Sequence, residues 1–511
     1  MKTSYKAWAA IGASLLLAAC GGGGGAGSAS TSNNAPGRGQ LVQSPPVRVT
    51  SLSSADYTTL LSANSTTQGL LQLSTGSLTG PLPCGVDIQY LQYGTVGAYG
   101  EATTASAALM VPTGSNPACT GPRPIVLHAH GTAVEHRYNL ADFSDSTNPA
   151  YAEANVLASI YAANGYIVVA PNYAGYDSSN LGYHPFLVAS QQSKDMLDAL
   201  VAAKTALPTL IAGTTTNGKV YLSGYSQGGH VALATHSAMI TDPASVATLA
   251  SLNLVVRGSA PMSGPYAMLN YGDTIVGGGV PAGSTTLMPM LLTGYQKSYN
   301  NTMYSSASAL YESTYATGIE SLFPGALSYT NLVAEGKVPQ LALFPASSSP
   351  GAIQGQPLTP LWDLGFGTPD LIKDSFRQTY LYDYTVNHAS PQFPLRAKLL
   401  ANDLTHNVPQ PVGATMLCGG GNDPTVYYSV NTSALLATGG WPTGVTNHAV
   451  TEVNMDLNGG GVTSGADPFQ TLKLSFTATN PTSAANYAST YHTNLVPYCV
   501  RAALGFFELV N

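Results

Sequence analysis

Four short runs of continuous apolar residues, each closing on a glycine-containing loop, constrain this chain more than any other feature. They are RPIVLHAHGT (Arg123 to Thr132), YIVVAPNYAGYD (Tyr166 to Asp177), KVYLSGYS (Lys219 to Ser226) and NLVVRGSAPMSG (Asn253 to Gly264). A strand that is apolar on both faces must be covered on both faces. Residues 150–164, 190–207 and about 227–240 carry apolar residues at helical spacing between these runs. Strand and helix in alternation imply an α/β fold with a mostly parallel central sheet and helices on both faces. A fifth run, PVGATMLCGGGND (Pro411 to Asp423), a sixth, AVTEVNMDL (Ala449 to Leu457), and a closing helix, LVPYCVRAALGFF, extend the pattern. Upstream, residues from Val86 on predict strands joined by Gly-containing turns. Over about 267–394 the alternation lapses into Tyr-rich helical and Pro/Ser/Gly-rich sequence, which predicts a cap inserted into one domain.

The amino terminus predicts export. Lys2 and Lys6 precede an apolar stretch, Ala7 to Ala19, that is too short to span a bilayer. It ends in Leu17-Ala18-Ala19-Cys20-Gly21, which resembles the lipobox of bacterial lipoproteins. That resemblance implies a signal peptide at 1–19 and a lipidated Cys20 that anchors the chain to a membrane. With no acidic residue beside the cysteine, it also implies an outer-membrane or secreted destination. Residues 20–46 are Gly/Ser/Asn-rich and read as a flexible tether, leaving 47–511 for the folded domain. Only 8% of the residues are charged, against roughly 25% in an ordinary globular protein. The net charge of −7 gives no footprint for nucleic acid. Setting Cys20 aside leaves four cysteines, and an exported protein meets an oxidising compartment. The expected pairs are Cys84–Cys119, neighbours in sequence, and Cys418–Cys499, neighbours in the expected fold. No cysteine or histidine cluster suggests a metal, and no cofactor is implied.

Within GYSQG, Gly224 to Gly228, glycines stand at offsets −2, +2 and +3 from Ser226, between an apolar strand and a helix. Such a strand must turn into the helix within one residue, which exposes the serine hydroxyl on a strained backbone. Serine is a poor nucleophile near neutral pH and needs a base held by an acid. On this fold the order is serine, then Asp or Glu, then histidine. Asp423 follows the late strand at its glycine loop, whereas Asp403 precedes that strand. His492 lies after the last strand, in an expected loop before the final helix. His448 precedes that strand, and His388 and His406 precede the acid. Ser226, Asp423 and His492 are therefore the candidate nucleophile, acid and base. A tetrahedral oxyanion needs donors as well. The backbone N–H of Gln227 is one candidate, and that of Thr132 or Gly131 is the other. The side chains of His128, His130 and His230 are expected to brace loops.

HAHGT, APNYAGYDSSNLGYHPF, GYSQGG, LCGGGNDPTV and YHTNLVPYCVRAALGFF together make the chain similar to the secreted α/β-hydrolase lipases and esterases. That family includes the fungal lipase A type and the bacterial secretory type. The resemblance runs from about Tyr90 to the carboxyl terminus. It implies an α/β-hydrolase fold, the same three residues in the same roles, and a cap over an acyl-binding pocket. The expected activity is serine carboxylic-ester hydrolysis through an acyl-enzyme, on esters with apolar acyl or aromatic groups. The alternatives are a serine peptidase of the same fold, disfavoured because no propeller-sized repeat is present, and a non-catalytic surface-binding module, disfavoured because all three residues occur in order.

Overall fold

The computed structural model describes residues 36–71, 78–210, 214–350, 365–406, 413–437, 450–456, 467–480 and 486–511. Cys20, the signal peptide and His448 lie outside the described residues. Eleven strands are β1 (Val47–Leu52), β2 (Gly85–Val96), β3 (Ala102–Thr113), β4 (Gly121–Ala129), β5 (Ile167–Pro171), β6 (Thr214–Tyr225), β7 (Val255–Met262), β8 (Phe344–Pro345), β9 (Phe366–Gly367), β10 (Ala414–Gly419) and β11 (Val450–Asn454). Nine of them form one sheet in the order β1-β2-β3-β5-β4-β6-β7-β10-β11. The first three are antiparallel to their neighbours, and the six from β5 to β11 are parallel. The apolar runs read from the sequence are the interior of this parallel half: Ile125–Ala129, Ile167–Pro171 and Val220–Tyr225 are buried throughout.

Register places the site. Ala129 pairs with Gly224, Tyr225 with Met262, Met262 with Cys418, and Gly419 with Asn454. The residues after these pairs all leave the sheet at one edge, the carboxyl edge where open α/β sheets bind ligands. Helices α1 (Ser54–Ala63), α2 (Ser65–Leu71), α3 (Tyr151–Ile160), α4 (Ala189–Ala206), α5 (Gln227–Thr241) and α6 (Pro243–Ser251) belong to the sheet's surroundings. Between β7 and β10 the chain adds α7 (Met268–Gly277), α8 (Ser284–Ser298) and further short helices. The helix Pro394–Ala401, at the end of that stretch, packs on α7. Disulfides join Cys84 to Cys119 and Cys418 to Cys499. The second ties the end of β10 to the final helix, Val496–Leu509. The expected tether ends earlier than Pro46. Arg38 bridges Gly94 and Leu41 bridges Tyr93 on β2, and the Arg38 guanidinium sits 3.0 Å from Asp198 on α4. Backbone pairing and one ion pair thus order a segment whose composition reads as flexible.

Candidate active site

Ser226 is the single residue between β6 and α5, with φ 57° and ψ −121°. A non-glycine residue with positive φ is held against a cost of about 1–3 kcal/mol. Its N–H donates to the Met262 carbonyl at 2.9 Å, so the β6–β7 ladder continues up to the serine. Its own carbonyl accepts from Gly229 N–H at 2.8 Å, so the helix starts at once. The flanking glycines follow from this compression. A Cβ on Gly224 would overlap the Gly228 carbonyl, one on Gly228 the Ala129 carbonyl, and one on Gly229 the Met262 carbonyl.

The structure brings three sequence-distant side chains together here. His492 Nε2 lies 2.8 Å from Ser226 Oγ, and His492 Nδ1 lies 2.6 Å from Asp423 Oδ2. A carboxylate only accepts, so Nδ1 carries the proton and Nε2 is left to accept from the serine hydroxyl. Asp423, with 1% of its side chain exposed, follows β10 on a glycine turn. Its other oxygen accepts from Thr425 N–H at 2.8 Å and Val426 N–H at 3.1 Å. Next to it, Asn422 N–H donates to Asp456 beyond β11 at 2.9 Å. His492 is 13% exposed. It sits on a short helix, Tyr487–Asn494, and not in the expected loop. Within this helix Tyr491 is the buried residue, so His492 is placed by contacts from outside the helix. Tyr225 O–H supplies one by donating to the His492 carbonyl at 2.6 Å, with the two rings 5.0 Å apart.

Gly131 and Thr132 border the same space, but their backbone groups differ. Gly131 N–H donates to Glu153 Oε1 at 3.2 Å. Thr132 N–H has no protein partner among the described residues. The histidines of this loop are tied into the interior. His128 bridges Ser223 Oγ (3.1 Å) and Glu153 Oε1 (3.2 Å). His130 faces two carbonyls, Gly131 from Nδ1 at 2.6 Å and Asn172 from Nε2 at 3.2 Å; a neutral ring has one N–H, and the shorter contact takes it. The His130 ring is stacked between Tyr138 and Tyr173, at 4.4 and 4.1 Å between centroids. Burial pulls its pKa below the usual histidine value. Burial also holds His184 down at about 3 and His230 at about 4. His184 donates from Nδ1 to the Ala174 carbonyl, so its Nε2 accepts from the Gln227 side-chain amide at 2.7 Å. His230 reaches the Asn402 carbonyl at 3.0 Å.

The other candidates stand apart. Asp403 accepts from Leu269 N–H at the start of α7 and pairs with His406, and His388 packs against the Tyr384 ring. Tyr225, Glu153 and His184 were missed in the sequence. Tyr225 carried a weak signal as the second residue of GYSQG; the others carried none. Among the described residues no group of three or more His, Cys, Asp or Glu side chains is placed to hold a metal ion.

Ser226, Gln227, His492, Gly131 and Thr132 open onto a cavity of about 850 Å³. That is within the range of pockets that enclose a small-molecule ligand. Apolar side chains of α7 and α8, among them Met268, Ile275, Leu287, Met288 and Leu291, line a large part of it.

Residues 146–301 match the family model described as secretory lipase. No curated protein matches the chain. Among solved structures, a single-residue variant of the rice cell wall degrading esterase LipA from Xanthomonas oryzae is 26% identical, with a TM-score of 0.62 over 82% of this chain and 92% of that one. Another LipA structure gives 24% identity and a TM-score of 0.66 over 93% and 99%. A putative hydrolase from Legionella pneumophila, 17% identical with a TM-score of 0.61 over 92% and 98%, shares the fold. The matched stretch contains APNYAGYDSSNLGYHPF and GYSQGG, two of the motifs that carry the resemblance to secretory lipases. The fold is of the α/β-hydrolase type, and the chain is a carboxylic ester hydrolase.

Proposed function

We propose that Ser226, His492 and Asp423 hydrolyse esters through a covalent acyl-enzyme. The supporting observation is the continuous chain from Ser226 Oγ through His492 to Asp423, at 2.8 and 2.6 Å. His492 Nε2 takes the serine proton as Oγ attacks the ester carbonyl, then gives it to the departing alcohol oxygen. Asp423 fixes the tautomer and stabilises the imidazolium. Water, deprotonated by the same nitrogen, then releases the acid and restores the serine.

The negative oxygen of each tetrahedral intermediate requires donors aimed at it. Gln227 N–H heads α5, where the first helical N–H groups have no partner within the helix. Gly131 N–H is committed to Glu153, so Thr132 N–H is the second donor. Losing one such donor lowers turnover by about 10²–10³.

The inserted stretch between β7 and β10 acts as the cap, and its apolar wall receives the acyl or aromatic part of the substrate. Export follows from the amino-terminal segment and from the secretory character of the matched family, with Cys20 lipidated at the outer membrane. Among the described residues no helix is long and apolar enough to cross a membrane. A fluorophosphonate probe and p-nitrophenyl butyrate test the mechanism. The native enzyme is labelled and turns over the ester, and folded Ser226→Ala does neither. Undiminished turnover by Ser226→Ala refutes the proposal.

A further inference from the structure

We propose that Glu153 is a positioning residue that sets the oxyanion loop, leaving Thr132 N–H as the donor this loop offers. The inference rests on the ester-hydrolysis reading of the site. Four backbone polar groups surround Gly131, and side chains hold three of them. The His130 carbonyl accepts from Tyr173 O–H at 3.1 Å. The Gly131 carbonyl accepts from His130 Nδ1–H at 2.6 Å. Gly131 N–H donates to Glu153 Oε1 at 3.2 Å. With both peptide planes fixed, the fourth group, Thr132 N–H, is left without a protein partner among the described residues, on a residue that lines the cavity together with Ser226.

Glu153 is suited to this task. It lies in the first turn of α3, where a carboxylate is favoured by the helix dipole. Tyr138 O–H donates to its Oε2 at 2.6 Å, and His128 Nε2 faces its Oε1 at 3.2 Å. Burial alone pushes its carboxyl up, but these bonds and the nearby histidines outweigh that and hold its pKa below the usual glutamate value. The side chain is 19% exposed and borders the cavity. The place of a Cβ on Gly131 lies 3.9 Å from Ser226 Cβ and 4.0 Å from Glu153 Oε2. Carboxylate and nucleophile therefore flank one glycine. A negative charge so near a developing oxyanion opposes it, so nothing in the chemistry itself asks for a carboxylate here. Its function is as a fixed acceptor for Gly131 N–H.

The decisive experiment compares Glu153→Ala, Glu153→Gln and Tyr138→Phe in the full chain. Assays read kcat and KM for p-nitrophenyl butyrate, and inhibition by a trifluoromethyl ketone, whose serine adduct places an oxyanion in the same donors. Glu153→Ala is expected to lower kcat about 10–100-fold with KM within about threefold. Ketone affinity should fall in step with kcat/KM while affinity for butan-1-ol stays unchanged. Glu153→Gln keeps an acceptor and should recover most of the loss. Should Glu153→Ala fail to fold, Tyr138→Phe, which loosens the carboxylate, should still lower kcat severalfold at unchanged KM. Full kcat in Glu153→Ala, or in Tyr138→Phe if that is the only one to fold, overturns the proposal. So does Glu153→Gln as impaired as Glu153→Ala. Fluorophosphonate labelling of the native enzyme separates the two readings: without it, ester hydrolysis at Ser226 fails first.

Discussion

The two halves of the proposed triad are held in place by different means. Ser226 ends a strand that is paired on both sides and buried through its last six residues, and backbone bonds to Met262 and Gly229 fix it from either direction. His492 sits on an eight-residue helix in which Tyr491 is the buried residue. Side-chain bonds to Asp423 and Tyr225 place it. Backbone placement cannot be altered without disturbing the fold, whereas side-chain placement can. Damage to the backbone that places Ser226 should therefore cost stability and activity together, and damage to the side-chain contacts that place His492 should cost activity with little loss of stability.

The largest effect is expected from removing the reacting groups. Ser226→Ala and His492→Ala should each lower ester turnover by at least about 10⁴-fold, with thermal midpoints close to the parent's. Next comes the covalent tie behind the acid. Cys418→Ser with Cys499→Ser opens a link across 81 residues, and should cost about 4 kcal/mol in denaturant unfolding. Gly228→Ala probes the serine side alone. Its new methyl meets the Ala129 backbone, which cannot yield as a side chain can, so a loss of about 3 kcal/mol is expected. A variant as stable as the parent would erase the proposed distinction.

Tyr225→Phe probes the histidine side. It removes the bond to the His492 carbonyl, worth about 1 kcal/mol. Turnover should fall roughly fivefold with a stability loss of no more than about 1 kcal/mol, and a loss as large as that of Gly228→Ala would again break the contrast. The smallest effect at neutral pH is linked to buried histidine. His230 has a folded pKa of about 4 against an ordinary 6.5. Below pH 6.5 the unfolded chain takes up a proton that the folded chain refuses, so His230 lowers stability progressively down to about pH 4. The stability difference between parent and His230→Gln, followed from pH 7 to pH 4.5, should shift against the parent. Following a difference removes groups of opposite sense, such as Asp195, whose carboxyl burial raises to about 7.

Much of this was legible in the chain. Continuous apolar runs forced a sheet covered on both sides, and the glycines around Ser226 announced a turn with no room for side chains. Asp423 and His492 were readable because a parallel sheet puts the ends of its strands on one edge, so chain order alone ranks the candidates. Glu153 was not readable. It is one acidic residue at the start of an ordinary helix, and its importance arises from a carbonyl-and-amide pattern in a loop 22 residues away. Nor was the docking of Arg38, since its partner Asp198 is 160 residues distant. The helix at His492 was not readable because its stretch carries too little apolar periodicity to declare one.

Hydrophobic period, glycine placement and strand order are properties of neighbours along the polypeptide, and they determined the layered fold and the choice of three candidate residues at its edge. Which backbone N–H faces the cavity, and which side chain steadies the imidazole, depends on directional bonds between segments that meet only after the sheet has closed. Those choices were made by the tertiary structure, because a hydrogen bond requires a partner at the right distance and angle, and a linear pattern specifies neither.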